Sequence, residues 1–185
     1  MGVQLLGSDG ATVAAIDPSH QAQRSSIRPQ ECLAWSSIGA TTGLLTGASV
    51  VAGASLFSLR NTGANRVLVR RFQVSWLTTT LGAAGRFDFG LSIARNFTSN
   101  DTGSAVTLTA RHRAALVTPS IAAMIAGTAA MTAGSRTLDG MAGVAGYWSA
   151  AIGSQLPQTA LLSHDAGDHP IVLATNEGLV LSALA

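Results

Sequence analysis

The sequence predicts an all-β protein, an antiparallel β-sandwich preceded by an extended N-terminal arm, and three observations carry that expectation. The first is a period of two in the stretch Arg66 to Ala94, where Phe87, Phe89, Leu91 and Ile93 share one parity and Arg86, Asp88, Gly90, Ser92 and Ala94 share the other. Alternation of that kind means a strand with one buried and one polar face. The second is the recurrence of short β-compatible runs at roughly ten-residue spacing with turn residues between them, the pattern of a sandwich or barrel. The third is the closing run Leu179 to Leu184, whose continuous apolar character suits a strand covered on both faces.

Taken in order, residues 3–16 hold two apolar runs around the turn Gly7-Ser8-Asp9-Gly10, and Asp17-Pro18 breaks any regular element. The polar stretch 21–30 ends in Arg28-Pro29, so residues 1–30 read as an arm or edge strand, because proline cannot donate to a ladder. The sandwich domain is expected over residues 31–185. From Leu33 to Leu45 the residues are small and β-compatible, with Trp35 as anchor, and Ser55 to Arg60 is a short strand followed by the turn Asn61-Thr62-Gly63-Ala64-Asn65. Arg66 to Ala94 is expected to be a long hairpin, with Gly82 and Gly85 in its connection. Asn96 to Gly103 reads as a polar loop, 105–110 as a strand, and 114–133 as a strand or short helix beside an irregular segment. Residues 140–153, with Tyr147 and Trp148, are a strand anchoring the core or an aromatic contact surface. Ser163 to Pro170 is a turn.

Composition narrows the function classes. Of 185 residues, 47% are hydrophobic and 11% charged, an apolar balance that asks for a covering partner. All eleven basic residues are arginine and the net charge is +2, too few and too scattered for a nucleic-acid binder. Arginine suits packing against partners, since its weakly hydrated planar guanidinium forks onto carboxylates and carbonyls. Cys32 is the only cysteine, which excludes an intramolecular disulfide and a thiolate metal site within one chain. The first ten residues lack the features of a signal peptide. The uncharged stretches 32–59 and 114–135 are long enough to span a membrane but too rich in Ser, Thr and Gly to be read as spans.

Catalytic signatures are sparse. No G-x-S-x-G elbow, P-loop or G-x-G-x-x-G occurs, and the nine carboxylates fall mostly in turn contexts. Asp88 is expected to pair with Arg86 or Arg71. His164, Asp165, Asp168 and His169 form the densest set of metal-capable side chains, yet a turn needs Asp and Gly in any case, and the chain is read as holding no metal and no cofactor. The reading is therefore non-enzymatic.

Three segments carry a family resemblance: Arg24-Ser25-Ser26-Ile27-Arg28-Pro29, Leu56-Phe57-Ser58-Leu59-Arg60-Asn61, and the ending Asp168 to Val180. Together they resemble structural proteins of tailed-bacteriophage virions. The resemblance implies a β-sandwich, often jelly-roll-like, acting as a capsid decoration or cementing protein, or else as a tail, collar or fibre component that adheres to the host. Such a protein would sit in the virion, more on the capsid exterior than the tail. Its partners would be the major capsid protein or other virion proteins, and further copies of itself as a dimer or trimer. Neither nucleic acid nor a membrane is expected as a direct partner. Arg24, Arg28, Arg111, Arg113 and Trp148 are the residues expected to touch partners.

Overall fold

A computed structural model describes residues 16–17, 22–23, 36–46, 50–79, 85–111, 120–149, 155–163 and 170–184. Among these every regular element is a strand. The first three are short: β1 (Ile16–Asp17), β2 (Ala22–Gln23) and β3 (Ser36–Ser37). Then follow β4 (Ser55–Asn61), β5 (Val67–Val69), β6 (Arg71–Leu77), β7 (Gly85–Arg95), β8 (Ser104–Ala105) and β9 (Thr109–Ala110). The second half holds β10 (Ile121–Ile125), β11 (Thr137–Ser149), β12 (Gln155–Ser163), β13 (Ile171–Leu173) and β14 (Gly178–Ala183). No helix among the described residues is long and apolar enough to cross a membrane.

All strand pairs are antiparallel, and from β4 onward they nest. Arg60 faces Gly178 in β4–β14, and Val69 faces Ile171 in β5–β13. Leu77 faces Gln155 in β6–β12, Arg95 faces Thr137 in β7–β11, and Ala105 faces Met124 in β8–β10. As one limb advances along the chain the other retreats, so residues 55–105 and 121–183 form one long two-limbed ribbon. The ribbon is bent on itself. β14 bonds to both β4 and β7, and β10 bonds to β4, which gives a six-stranded sheet in the order β11-β7-β14-β4-β10-β8.

The middle of the ribbon, β6 with β12, is a separate two-stranded pair whose side chains pack against the large sheet. Aromatic contacts fix the approach: Phe57 of β4 meets Phe72 of β6 with ring centroids 5.5 Å apart, and Trp76 of β6 meets Phe89 of β7 at 5.1 Å. Phe89, Leu91, Leu173 and Leu179 are buried in one cluster together with Leu56, Tyr147, Leu161 and Leu181. The expected hairpin at 66–94 is corrected here. β6 and β7 are consecutive but unpaired, since β6 bonds to β12 while β7 bonds to β11 and β14. Trp76 of β6 and Phe89 of β7 touch although their strands are not bonded, so the apolar alternation that suggested a hairpin reports burial in a common core and not pairing.

Other expectations fare better. β14 is buried along its whole length, as its continuous apolar run requires. β10 fills the segment left between strand and helix, and Tyr147 anchors the core. The polar parity of β7 is a second departure: Gly90, Ser92 and Ala94 are buried as well. Ala94 packs with Phe97 and Val180 in a small cluster on the far side of the sheet. Of the expected arm 1–30 only β1 and β2 are described, and they pair with each other.

Candidate interaction surface

Turns after β7 and β13 meet at one end of the large sheet. Each holds an asparagine in left-handed backbone, Asn96 at φ 51° and Asn176 at φ 60°, a conformation that asparagine tolerates better than most residues. The Phe97 amide donates to the Asn176 carbonyl at 2.8 Å, which locks the two turns together. Phe97 then points under the loops with its ring between two guanidinium groups, Arg136 at 5.3 Å and Arg60 at 6.0 Å from the centroid. Arg60 donates to Asn100 Oδ1 and Asn176 Oδ1, both at 3.0 Å. Arg136 pairs with the Asp101 carboxylate, and the two side chains are 4% and 0% exposed. Asp101 Oδ1 also accepts the Gly134 amide at 2.8 Å, and Arg136 donates to Ser55 Oγ at 2.7 Å. Burial lowers the Arg136 guanidinium from its usual value, although arginine retains its charge in any protein setting.

Beside this lies a shallow cavity of about 310 Å³ lined by Arg95, Asn96, Thr98, Thr175, Asn176 and Glu177. Its cation is already engaged. Arg95 donates through Nε to Asp139 Oδ2 at 2.7 Å and through Nη1 to Glu177 Oε1 at 2.6 Å. The Asp139 bond raises the Arg95 guanidinium, and Arg95 in turn holds the exposed Asp139 carboxyl below its usual value. The arrangement is thus a brace tying β7, β11 and the turn before β14, with its charges mutually satisfied.

A different surface is apolar. Leu138, Met141 and Val144 of β11 are 47%, 57% and 56% exposed. Their register partners are Ala94, Ser92 and Gly90, the side of β7 that faces away from the β6–β12 layer. The sequence hides this row, because register shifts between Leu138, Met141 and Gly143 space it by three. A period of two therefore misses it.

Of the residues expected to touch partners, Arg111 is exposed just after β9 and donates through Nε to Ser37 Oγ at 2.7 Å, tying it to β3. Trp148 stands on β11 opposite Arg86 in register. Arg24, Arg28 and Arg113 lie outside the described residues, as do His164, Asp165, Asp168 and His169. The structure does not bring Arg111 and Trp148 together on one strand pair. Asp88 pairs with Arg86 at 2.8 Å, one of its two expected partners. Among the described residues no group of three metal-capable side chains occurs. No protein family, curated protein or solved structure matches the chain.

Proposed function

We propose that this chain is a non-enzymatic structural subunit of a tailed-bacteriophage virion, and that it decorates or cements the capsid exterior by bridging neighbouring capsomers. The observation that supports the reading is the nested ribbon. An antiparallel ribbon whose β4–β14 and β7–β11 parts share a sheet supports a jelly-roll winding, in which β6–β12 would lie opposite that sheet. That is the fold which the sequence resemblance implies, and viral coat proteins use it repeatedly. Fold alone does not assign function, so the exposed apolar row on β11 adds its own support. A subunit that gains avidity from many modest contacts needs such surface, and an unattached enzyme does not.

The test is mechanical. Phage particles produced without this protein should release their DNA at a lower temperature than complete particles, and adding the purified protein back should restore the loss. Equal release temperatures would overturn the cementing role.

A further inference from the structure

We propose that the Asp139-Gly140 peptide is a site of spontaneous covalent modification, at which aspartate isomerises to isoaspartate, and that the Arg95 guanidinium is the group that slows it.

The chemistry is intramolecular. The Gly140 amide nitrogen attacks Cγ of Asp139, so that an N–Cγ bond forms, the amide proton passes to solvent and one carboxyl oxygen leaves as water. The product is a cyclic succinimide. Water then adds back in one of two places. Opening at Cγ restores aspartate, whereas opening at the former main-chain carbonyl sends the chain through Cβ and Cγ and leaves that carbonyl carbon as a free carboxylate. Nothing is oxidised or reduced, and the mass is unchanged. Glycine hinders the attack least of all residues, having no Cβ beside the nitrogen.

Three features place the reaction here. The Gly140 amide already lies against the carboxyl, its nitrogen 2.9 Å from Asp139 Oδ1. The backbone is also released from the ladder. Leu138 faces Ala94 and Met141 faces Ser92, so Asp139 and Gly140 stand together against Ile93 alone, and such a bulge leaves its extra residue unpaired. The surroundings are open as well, since both residues are exposed and a Cβ at Gly140 would meet no atom within 4 Å.

Arg95 opposes the reaction. An oxygen leaves as water only from a protonated carboxyl, and the bond from Arg95 Nε to Asp139 Oδ2, 2.7 Å long, favours the ionised form. The carboxyl is accordingly held below its usual value, first by this bond and then by the Gly140 amide. The same bond restrains the side-chain rotation that brings Cγ onto the nitrogen. Glu177, the other acid on Arg95, takes Nη1 and so bears on Asp139 only through the shared guanidinium. Isomerisation carries the carboxylate off Arg95 and opens the brace between β7, β11 and the turn before β14.

The full chain, held for several weeks in warm neutral buffer, digested with trypsin and read by electron-transfer fragmentation, which tells isoaspartate from aspartate, provides the test. Cleavage after Arg136 puts Asp139 in the peptide 137–185, apart from the chain's other Asp-Gly pair, Asp9-Gly10. Isoaspartate should appear at position 139 in the wild type and rise several-fold faster in Arg95→Gln. Gly140→Ala, which the open space accommodates, should suppress it. Glu177→Gln loosens the brace without removing the Arg95–Asp139 bond and should leave the wild-type rate, and unchanged circular dichroism shows that the variants fold. In urea, where the side chains are no longer held together, wild type and Arg95→Gln should isomerise at one rate. An Asp139 that stays unmodified in both wild type and Arg95→Gln, an Arg95→Gln rate equal to wild type in the folded chain, or a Glu177→Gln rate as high as that of Arg95→Gln would overturn the proposal.

Discussion

Arg136 and Asp101 form the most heavily desolvated ion pair among the described residues, and its energetics are settled by what surrounds it. Removing one partner of a buried pair strands the other charge, at about 3–5 kcal/mol. Asp101→Ala should therefore lower the unfolding free energy obtained from urea titration by that amount, and Arg136→Met in the same chain should recover part of the loss because no charge is left unpaired. The exposed brace behaves differently. Asp139 has a carboxyl held below its ordinary value of 3.8, chiefly by its bond to Arg95. Its contribution is fully present above pH 3.8 and is lost as pH falls through the lower folded value. Asp139→Asn should accordingly cost a small, salt-sensitive amount of melting temperature near neutral pH, and the difference from wild type should vanish in stronger acid. Neither pair was legible in the sequence. Asp101 sits in a stretch, Asn96 to Gly103, that reads as a solvated loop, and its partner is 35 positions away; only the single Phe97 among polar residues hinted that the loop turns inward.

At the scale of elements, the seam between β11 and β12 shows why some strands could be read and others could not. β7 was legible because its large apolar residues Phe87, Phe89, Leu91 and Ile93 alternate without interruption. β12 was not, because Pro157 cannot donate to a ladder and the register with β6 shifts between Leu156 and Thr159. β11 was legible as a strand through Tyr147, but its bulges hid which residues face out. At the seam itself a Cβ on Gly143 would collide with the Leu161 carbonyl, so the strands approach only because this position has no side chain. Gly143→Val should destabilise by about 1–3 kcal/mol, the usual cost of overpacking, seen as a lower thermal midpoint. A Val144→Thr control on the exposed side of the same strand should change little. The misread hairpin has a related cause: periodicity reports which face of a strand is buried, and is silent about which strand lies beside it. Two strands facing each other across a core carry the same alternation as two strands side by side.

For the whole molecule, the nested pairing makes one ribbon of most of the chain, with contacts between residues as far apart as Ser55 and Ser182. Contacts of such long range fold slowly, because loop closure precedes the reward of pairing. Truncating β14 should abolish folding altogether, since β14 holds β4 and β7 in one sheet and is buried throughout; loss of the cooperative melt is the check. The all-β class and the buried C-terminal strand were open to sequence reasoning because both rest on local patterns. The winding was not, because it is a property of partners rather than of segments. That winding, with an apolar face left outward on β11, underlies the reading of the chain as a virion subunit. The most direct measurement is immunogold electron microscopy of phage particles made by a genome that encodes this chain. The account predicts gold distributed over the head. Label confined to the tail, collar or fibres, or purified particles that carry none, would contradict it.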